Sequence, residues 1–404
     1  MTRRRPVLKI LGGFAGVLAL LLGGFWLWLS SVGDRRWEEL RADVVRRKEA
    51  AAQRELTRDP LRGDPLPGCV WTDYMAADAL IRATPGAENL LLNLQQKSMG
   101  LDLVQARSMV MSLQPALDLL RRGGRHVDAR VPVPAPWAPQ FDNPPLHRLK
   151  MLALCRARID IDEGRGGEGM AVLLDFDRLS QDAARNGAVM GIARWNTDVE
   201  PAFEELRRAV MKGGLPPAAE EALARELDVL DRTGPSMESA MEGFAIVLGD
   251  WALEDPGQYI RSRTDVKWVW VYHPRLQAAS GYFDFTARLP ALVGIDRMSW
   301  SQEKAAWEDF DRRSRLLTSI WSKGTLASDV RRNRAQRRLL RTILHRRRTG
   351  QWLELDDPFG TTLLHAETET HLRAWSVGQD GVDNGGKGSW KPRDGEDLLL
   401  EVPK

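Results

Sequence analysis

Residues 10–32 read ILGGFAGVLALLLGGFWLWLSSV. The run carries no charge, and Ser30 and Ser31 are its only polar side chains. About 20 helical residues, each rising about 1.5 Å, cross the hydrocarbon core of a bilayer, so the stretch is long enough to span one. Arg3, Arg4, Arg5 and Lys9 stand just before it. Basic residues beside a span stay cytoplasmic, which places everything after Asp34 on the far side. Trp26 and Trp28 fall near the outer interface, where an apolar ring and an N–H donor both find partners. A cleavable signal peptide is the rival reading. Its apolar core runs to only about 7–15 residues before a small-residue cleavage site. This run is longer, and Ser31-Val32-Gly33 is a poor substitute for Ala-x-Ala. The uncleaved anchor is therefore the expectation. Gly12 and Gly16 form a GxxxG, a weak dimerisation signal in so glycine-rich a segment.

Outward from this run, composition is that of a globular chain. Of 404 residues, 43% are hydrophobic and 28% charged, enough for a sizeable core in two or three domains. Net charge is +3, from 58 basic and 55 acidic residues, so the whole chain offers no electrostatic case for binding nucleic acid. Cys69 and Cys155 are the only cysteines. Outside the cytoplasm they either form a disulfide, worth about 3–5 kcal/mol for so long a loop, or remain buried thiols. Sequence leaves both open.

From Asp34 to about Gly350 the pattern is mainly helical. Asp34 can cap a charged helix running towards Arg58, with Pro60 ending it. Apolar spacing predicts helices over 72–83, 87–97, 101–122, 146–163, 168–185, 197–211, 217–231, 237–251, 282–292 and 302–322. Between them, Pro132, Pro134, Pro136, Pro139, Pro144 and Pro145 favour an extended loop pinned by Trp137 and Phe141. Residues 267–272, KWVWVY, form the one strand-like hexamer of this region. Antiparallel helices joined by Gly and Pro turns imply an irregular helical bundle with solenoid-like stacking, without a fixed-period repeat.

Chemistry is sparse. Asp160, Asp162 and Glu163 lack the Glu that an EF-hand needs at its twelfth position. Glu238 and Glu242, one helical turn apart, would serve as acid and base only if they faced a common cleft; a solvated helix face is the plainer reading. None of the six histidines sits in an HExxH, and the chain lacks GxGxxG, GxSxG and a phosphate-binding Gly-Lys-Ser/Thr loop. Arg331–Arg348 is a strongly basic helix with an apolar stripe through Val330, Leu339, Leu340, Ile343 and Leu344. It suits either an anionic lipid surface or docking against neighbouring helices, with docking preferred because long Arg stems cover apolar surface.

The last fifty residues read LDDPFGTTLLHAETETHLRAWSVGQDGVDNGGKGSWKPRDGEDLLLEVPK. Asp357-Pro358-Phe359-Gly360 is a turn, since Pro fixes φ and Asp bonds its neighbouring backbone. Strands are expected over 362–366 and 370–377, with Leu398-Leu399-Leu400 completing a small antiparallel β-module. Between Gly378 and Gly395 lie six glycines with Asp380, Asp383, Asn384 and Asp394. Clustered carboxylates repel unless a cation sits among them, and hard oxygen donors select Ca²⁺.

This tail resembles the C-terminal module of the major pseudopilins of type II secretion. The likeness rests on Asp357-Pro358-Phe359-Gly360, on Trp375-Ser376-Val377-Gly378 with Asp380-Gly381, and on Glu396-Asp397-Leu398. It covers about the last fifty residues. In that family the loop binds calcium through acidic side chains and carbonyls. The resemblance implies Asp380 and Asp397 as ligands here, with Asp394 and Asp383 as further candidates. The family's Gly-Phe-Thr-Leu-x-Glu start is absent, because Gly13-Phe14 is followed by Ala15-Gly16-Val17; fibre formation is not implied. As a whole the chain is similar to membrane-anchored bacterial envelope proteins with Arg-rich helical bodies.

The resulting expectation is a mainly α protein of the bacterial inner membrane, with a cytoplasmic basic tail (1–9), a single transmembrane anchor (10–32), a periplasmic helical domain (33–325) and a basic helix leading into the β-module (326–404). It would be non-enzymatic and bind an envelope protein partner, with calcium stapling its C-terminus, in secretion or envelope assembly. The alternatives are an envelope hydrolase using Glu238 and Glu242, and a binder of anionic lipid through Arg331–Arg348.

Overall fold

The computed structural model describes residues 5–53, 58–96, 103–129, 144–186, 188–261, 273–292, 294–295, 298–313, 325–393 and 395–404. Trp137, Phe141, the hexamer 267–272 and Asp394 lie outside the described residues. The helices, in chain order, are α1 (Arg5–Gln53), α2 (Val70–Ala83), α3 (Ala87–Gln96), α4 (Leu103–Ser112), α5 (Gln114–Gly123), α6 (Pro144–Asp162), α7 (Gly166–Asn186), α8 (Ala188–Lys212), α9 (Pro217–Arg232), α10 (Met237–Glu254), α11 (Pro256–Arg261), α12 (Pro274–Thr286), α13 (Trp300–Arg313) and α14 (Thr325–Thr349). The strands are β1 (Leu66–Cys69), β2 (His126–Asp128), β3 (Leu364–Glu367), β4 (His371–Ser376), β5 (Gly388–Ser389) and β6 (Asp397–Pro403). The protein is mainly α with a small C-terminal sheet, as its periodicity predicts.

Two compact units divide the chain. The smaller comprises Met1–Arg54, Phe244–Ala291 and Ser314–Leu316; the larger comprises Glu55–Gly243, Leu292–Arg313 and Leu317–Lys404. In the smaller unit α1 is one helix from the apolar run into the charged stretch, and is long and apolar enough to cross a membrane. Asp34 therefore lies inside the helix and caps nothing. At Gly33 the missing side chain admits His273: a Cβ there would stand 2.7 Å from the His273 Nδ1. Beyond it, α12 packs along α1, covering Trp37, Leu40 and Val44.

The larger unit is built round α7. Every residue from Val172 to Asp182 is buried, because α5, α6, α8 and α9 all pack against this helix. Sequence such as LLDFDRLSQD would ordinarily leave a polar face in water. Here each buried carboxylate meets an arginine from another element. Asp175 pairs with Arg62 at 3.0 Å, Asp177 with Arg337 at 2.7 Å, and Asp182 with Arg58 at 3.0 Å. Tyr74 also donates its hydroxyl to Asp182 at 3.0 Å. Burial pushes Asp175 and Asp182 above the ordinary carboxylate range, against the opposing charges of Arg62 and Arg58.

Several expected boundaries shift for identifiable reasons. The helix expected over 101–122 is two, α4 and α5, split at Leu113 because Pro115 has no N–H to continue the ladder and instead enters the first turn of α5. Pro144 and Pro145 likewise open α6 rather than closing an extended loop. Helix α8 starts nine residues before the expected Thr197 and carries Pro201 within it. Two short parallel strands, β1 and β2, pair in stretches between the expected helices, where no strand was expected. Beside them Asp73, 2% exposed, accepts hydrogen bonds from Arg122 at 2.6 Å and from His126 Nε2 at 2.9 Å. Cys69 and Cys155 are unbridged, and burial pushes the Cys155 thiol up to about 11.

The C-terminal sheet has the order β3-β4-β6-β5. Strands β3, β4 and β6 are antiparallel, but β5 joins β6 in parallel through Gly388 and Ser389. Helix α14 packs against α8 and α9 and also against β4 and β6, so the basic helix and the β-module share one unit with the helical body.

Two outcomes follow. Arg337→Ala leaves Asp177 uncompensated where side-chain exposures are 0% and 2%, and should lower the stability read from the urea midpoint by about 3–5 kcal/mol; a double change to Met and Leu should cost much less. For Asp73, burial pushes the carboxyl up, but the hydrogen bonds and charges of Arg122 and His126 outweigh it and hold it below 3.8. Its stabilisation is present above that value and lost as pH falls through the lower folded value. Asp73→Asn should thus destabilise strongly near neutral pH and little in strong acid, a contrast that urea titrations at the two extremes will read.

Candidate functional site

Asp357 organises the C-terminal module. It is 4% exposed, and its carboxylate accepts the Phe359 N–H at 2.9 Å, the Ser376 hydroxyl at 2.7 Å and the Val377 N–H at 2.9 Å. Burial pushes this carboxyl upward, against those hydrogen bonds. The Asp-Pro-Phe-Gly turn is thereby fixed to the end of β4, where the Asp/Gly loop departs. Gly378 turns the chain there with φ of 70°, and a Cβ would meet the Glu396 carbonyl at 2.7 Å. At Gly388 a Cβ would lie 1.8 Å from the Asp397 carbonyl, so only glycine lets β5 reach β6.

The loop's carboxylates differ in what they face. Asp397, fully buried at the start of β6, accepts the N–H groups of Asn384 at 3.1 Å and Gly386 at 2.8 Å. Successive N–H donors of this kind form a cradle for an anion. Its Oδ1 is also 3.3 Å from the Asn384 nitrogen. Asp383 Oδ1 accepts the Gly385 N–H at 2.8 Å and the Trp375 indole N–H at 3.0 Å. Asp380 Oδ1 accepts the Val382 N–H at 3.1 Å, and its Oδ2 lies 3.9 Å from the Cβ position of Gly395. Asn384 ties the two sides of the loop by donating to the Gly395 carbonyl at 3.1 Å. Among the described residues, no three His, Cys, Asp or Glu side chains converge at metal-ligand spacing. Asp380 and Asp383 are exposed and are the accessible hard donors, whereas Asp397 is committed to backbone N–H groups. A cation held here would draw on the first two and on neighbouring carbonyls.

The other sequence candidates take different places. Glu238 is exposed and accepts the Gly294 N–H at 3.4 Å, while Glu242 is half-buried. Several arginines of α14 are turned into the protein. Arg331 reaches the Met298 and Pro358 carbonyls and Glu303. Arg338 and Arg341 pair with Asp231 and Asp228 of α9 at 2.8 and 2.7 Å. Arg346 pairs with Glu367 of β3, and Arg347 spans the Val210 and Pro403 carbonyls at 2.7 and 2.8 Å. Docking, rather than a free cationic face, describes this helix.

One recess escaped the sequence reading. It encloses about 660 Å³ in the larger unit, at the α6–α7 and α8–α9 turns. Ile161, Ala209, Leu215 and Leu223 supply apolar wall, and Arg62, Arg121, Arg165 and Lys212 supply cationic groups. Volume and lining fall within the range of small-ligand sites. These cations already have partners: Arg62 meets Asp175 and Glu226, and Lys212 donates to the Ile161 carbonyl at 2.8 Å. The only signal in the sequence was the pair of glycine clusters, Gly164-x-Gly166-Gly167 and Gly213-Gly214, which read simply as turns.

With this geometry in view, comparison with known proteins adds no relative: no family model, no curated protein and no solved structure matches the chain.

If the loop holds calcium, melting of the purified chain in excess Ca²⁺ should exceed melting in EGTA by several degrees, and Asp380→Asn with Asp383→Asn should abolish the difference. Identical melting curves in Ca²⁺ and EGTA would remove calcium from the module.

Proposed function

We propose that this chain is a non-enzymatic, single-pass protein of the bacterial inner membrane. Residues 10–32 form the anchor, residues 1–9 the cytoplasmic tail, and the remainder a periplasmic body that binds an envelope partner in secretion or envelope assembly. The observation that carries the anchor is the surface of α1. Leu20, Leu21, Leu22, Phe25, Trp26, Leu27 and Trp28 are 57–78% exposed, on every side of the helix. At about 25 cal/mol per Å² of apolar surface, such a helix in water carries a large unmet cost, which lipid relieves.

Binding rather than catalysis is supported by the chemistry of the larger unit. Its buried carboxylates face arginines in ion pairs. The recess at the glycine turns offers apolar wall with charged edges, the composition of a recognition site. The C-terminal module, with Asp380 and Asp383 accessible, is read as a calcium-stapled cap to this body.

A cell-fractionation experiment tests both parts. The full chain should stay in the inner-membrane pellet after alkaline carbonate, and a C-terminal epitope should become protease-sensitive once the outer membrane is opened. Release by carbonate would sink the anchor. A photo-crosslinker at Ala222, in the recess, should capture one discrete envelope protein; an absence of any adduct from intact cells would count against the binding role.

A further inference from the structure

The exposed apolar surface of α1 ends abruptly. Residues 16–28 are exposed, Leu29 and Ser30 are half-buried, and Gly33, Trp37, Leu40 and Val44 are buried. The cover is α12, and the order of its contacts fixes its direction. His273, at its entry, lies on Gly33 and meets the Trp26 ring edge-on at 6.3 Å. Arg275 pairs with Asp34 at 3.2 Å and sits 5.7 Å over the Trp37 ring. Further on, Tyr282 donates its hydroxyl to Asp43 at 2.7 Å. Helix α12 thus starts beside the apolar run and climbs in the same sense as α1.

This places its first turn at a defined depth. Trp26 is seven residues before Gly33, about 10 Å along the axis. Tryptophans at the end of a span settle at headgroup level, and the His273 ring reaches from Gly33 to one of them. We propose that the first turn of α12, His273–Gln277, is a second membrane contact, lying in the outer headgroup layer with Arg275 directed to lipid phosphates. The proposal rests on residues 10–32 being the anchor. The occupant is bilayer because the surface is continuous with the exposed apolar face of α1. Arg275 is available for it: its side chain is 54% exposed and its Asp34 partner 59%. So exposed a pair contributes little, whereas a guanidinium matches a phosphate with two parallel hydrogen bonds.

Spin labels test this on the full chain in nanodiscs containing anionic lipid, with Cys69 and Cys155 replaced by Ala. Labels go at Leu20, in the span, at Pro274, in the first turn, and at Ser280, exposed about 9 Å further along α12. Collision with oxygen and with a water-soluble nickel chelate is measured at each. The Leu20 label should favour oxygen, the Ser280 label nickel, and the Pro274 label should show nickel access several-fold below that at Ser280. Equal nickel access at 274 and 280, with Leu20 in lipid, overturns the second contact and leaves the anchor standing. Nickel access at Leu20 overturns both. Circular dichroism of each labelled protein confirms that helix content is unchanged.

Discussion

The larger unit depends on the pairing of Asp177 with Arg337. Both side chains are out of water, and the carboxylate also accepts the Trp195 indole N–H at 3.1 Å. The guanidinium lies 5.2 Å from the Trp195 ring and 5.1 Å from that of Phe203. One turn away, Asn333 donates to Asn196 at 2.6 Å. Helices α7, α8 and α14 therefore meet at one polar point within apolar surroundings. Such a pair gains little net stability over an apolar substitute, since desolvation nearly offsets attraction. What it supplies is register. A slip of α14 that set Asn333 in the place of Arg337 would leave Asp177 without a cation.

That constraint explains how α14 serves two structures. Its Arg338 and Arg341 hold α9, while Arg346 and Arg347 hold the edges of the C-terminal sheet. Arginine suits this work because its planar fork donates to carboxylates and carbonyls in several directions while remaining ionised. Lysine in these places would supply a point charge without the second bond.

Sequence made the α character legible because most helices carry apolar residues at helical spacing, and the β-module legible because its turn and strand signals are local. It failed where a long-range partner decides the outcome. Residues 172–182 look amphipathic, and nothing local says that Arg58, Arg62 and Arg337, far apart in the chain, will neutralise the polar face. For the Arg331–Arg348 run, docking was the preferred reading, but its acidic partners on α9 and β3 had no local signal. At the candidate site, Asp380 and Asp383 were visible as acidic residues in a glycine loop. The commitment of Asp397 to the N–H groups of Asn384 and Gly386 was not, since backbone donors have no sequence signature.

The unbroken course of α1 has a mechanical consequence. A helix of 49 residues is a rod about 70 Å long, with no proline among its interior residues to act as a joint. Clamped by α12 over its outer half, it transmits torque. With residues 10–32 held in a bilayer, as proposed, a twist or change of inclination imposed on that segment by lipid thickness or by a neighbouring helix would turn Trp37, Leu40 and Val44 with it and reach the smaller unit as a rigid-body rotation.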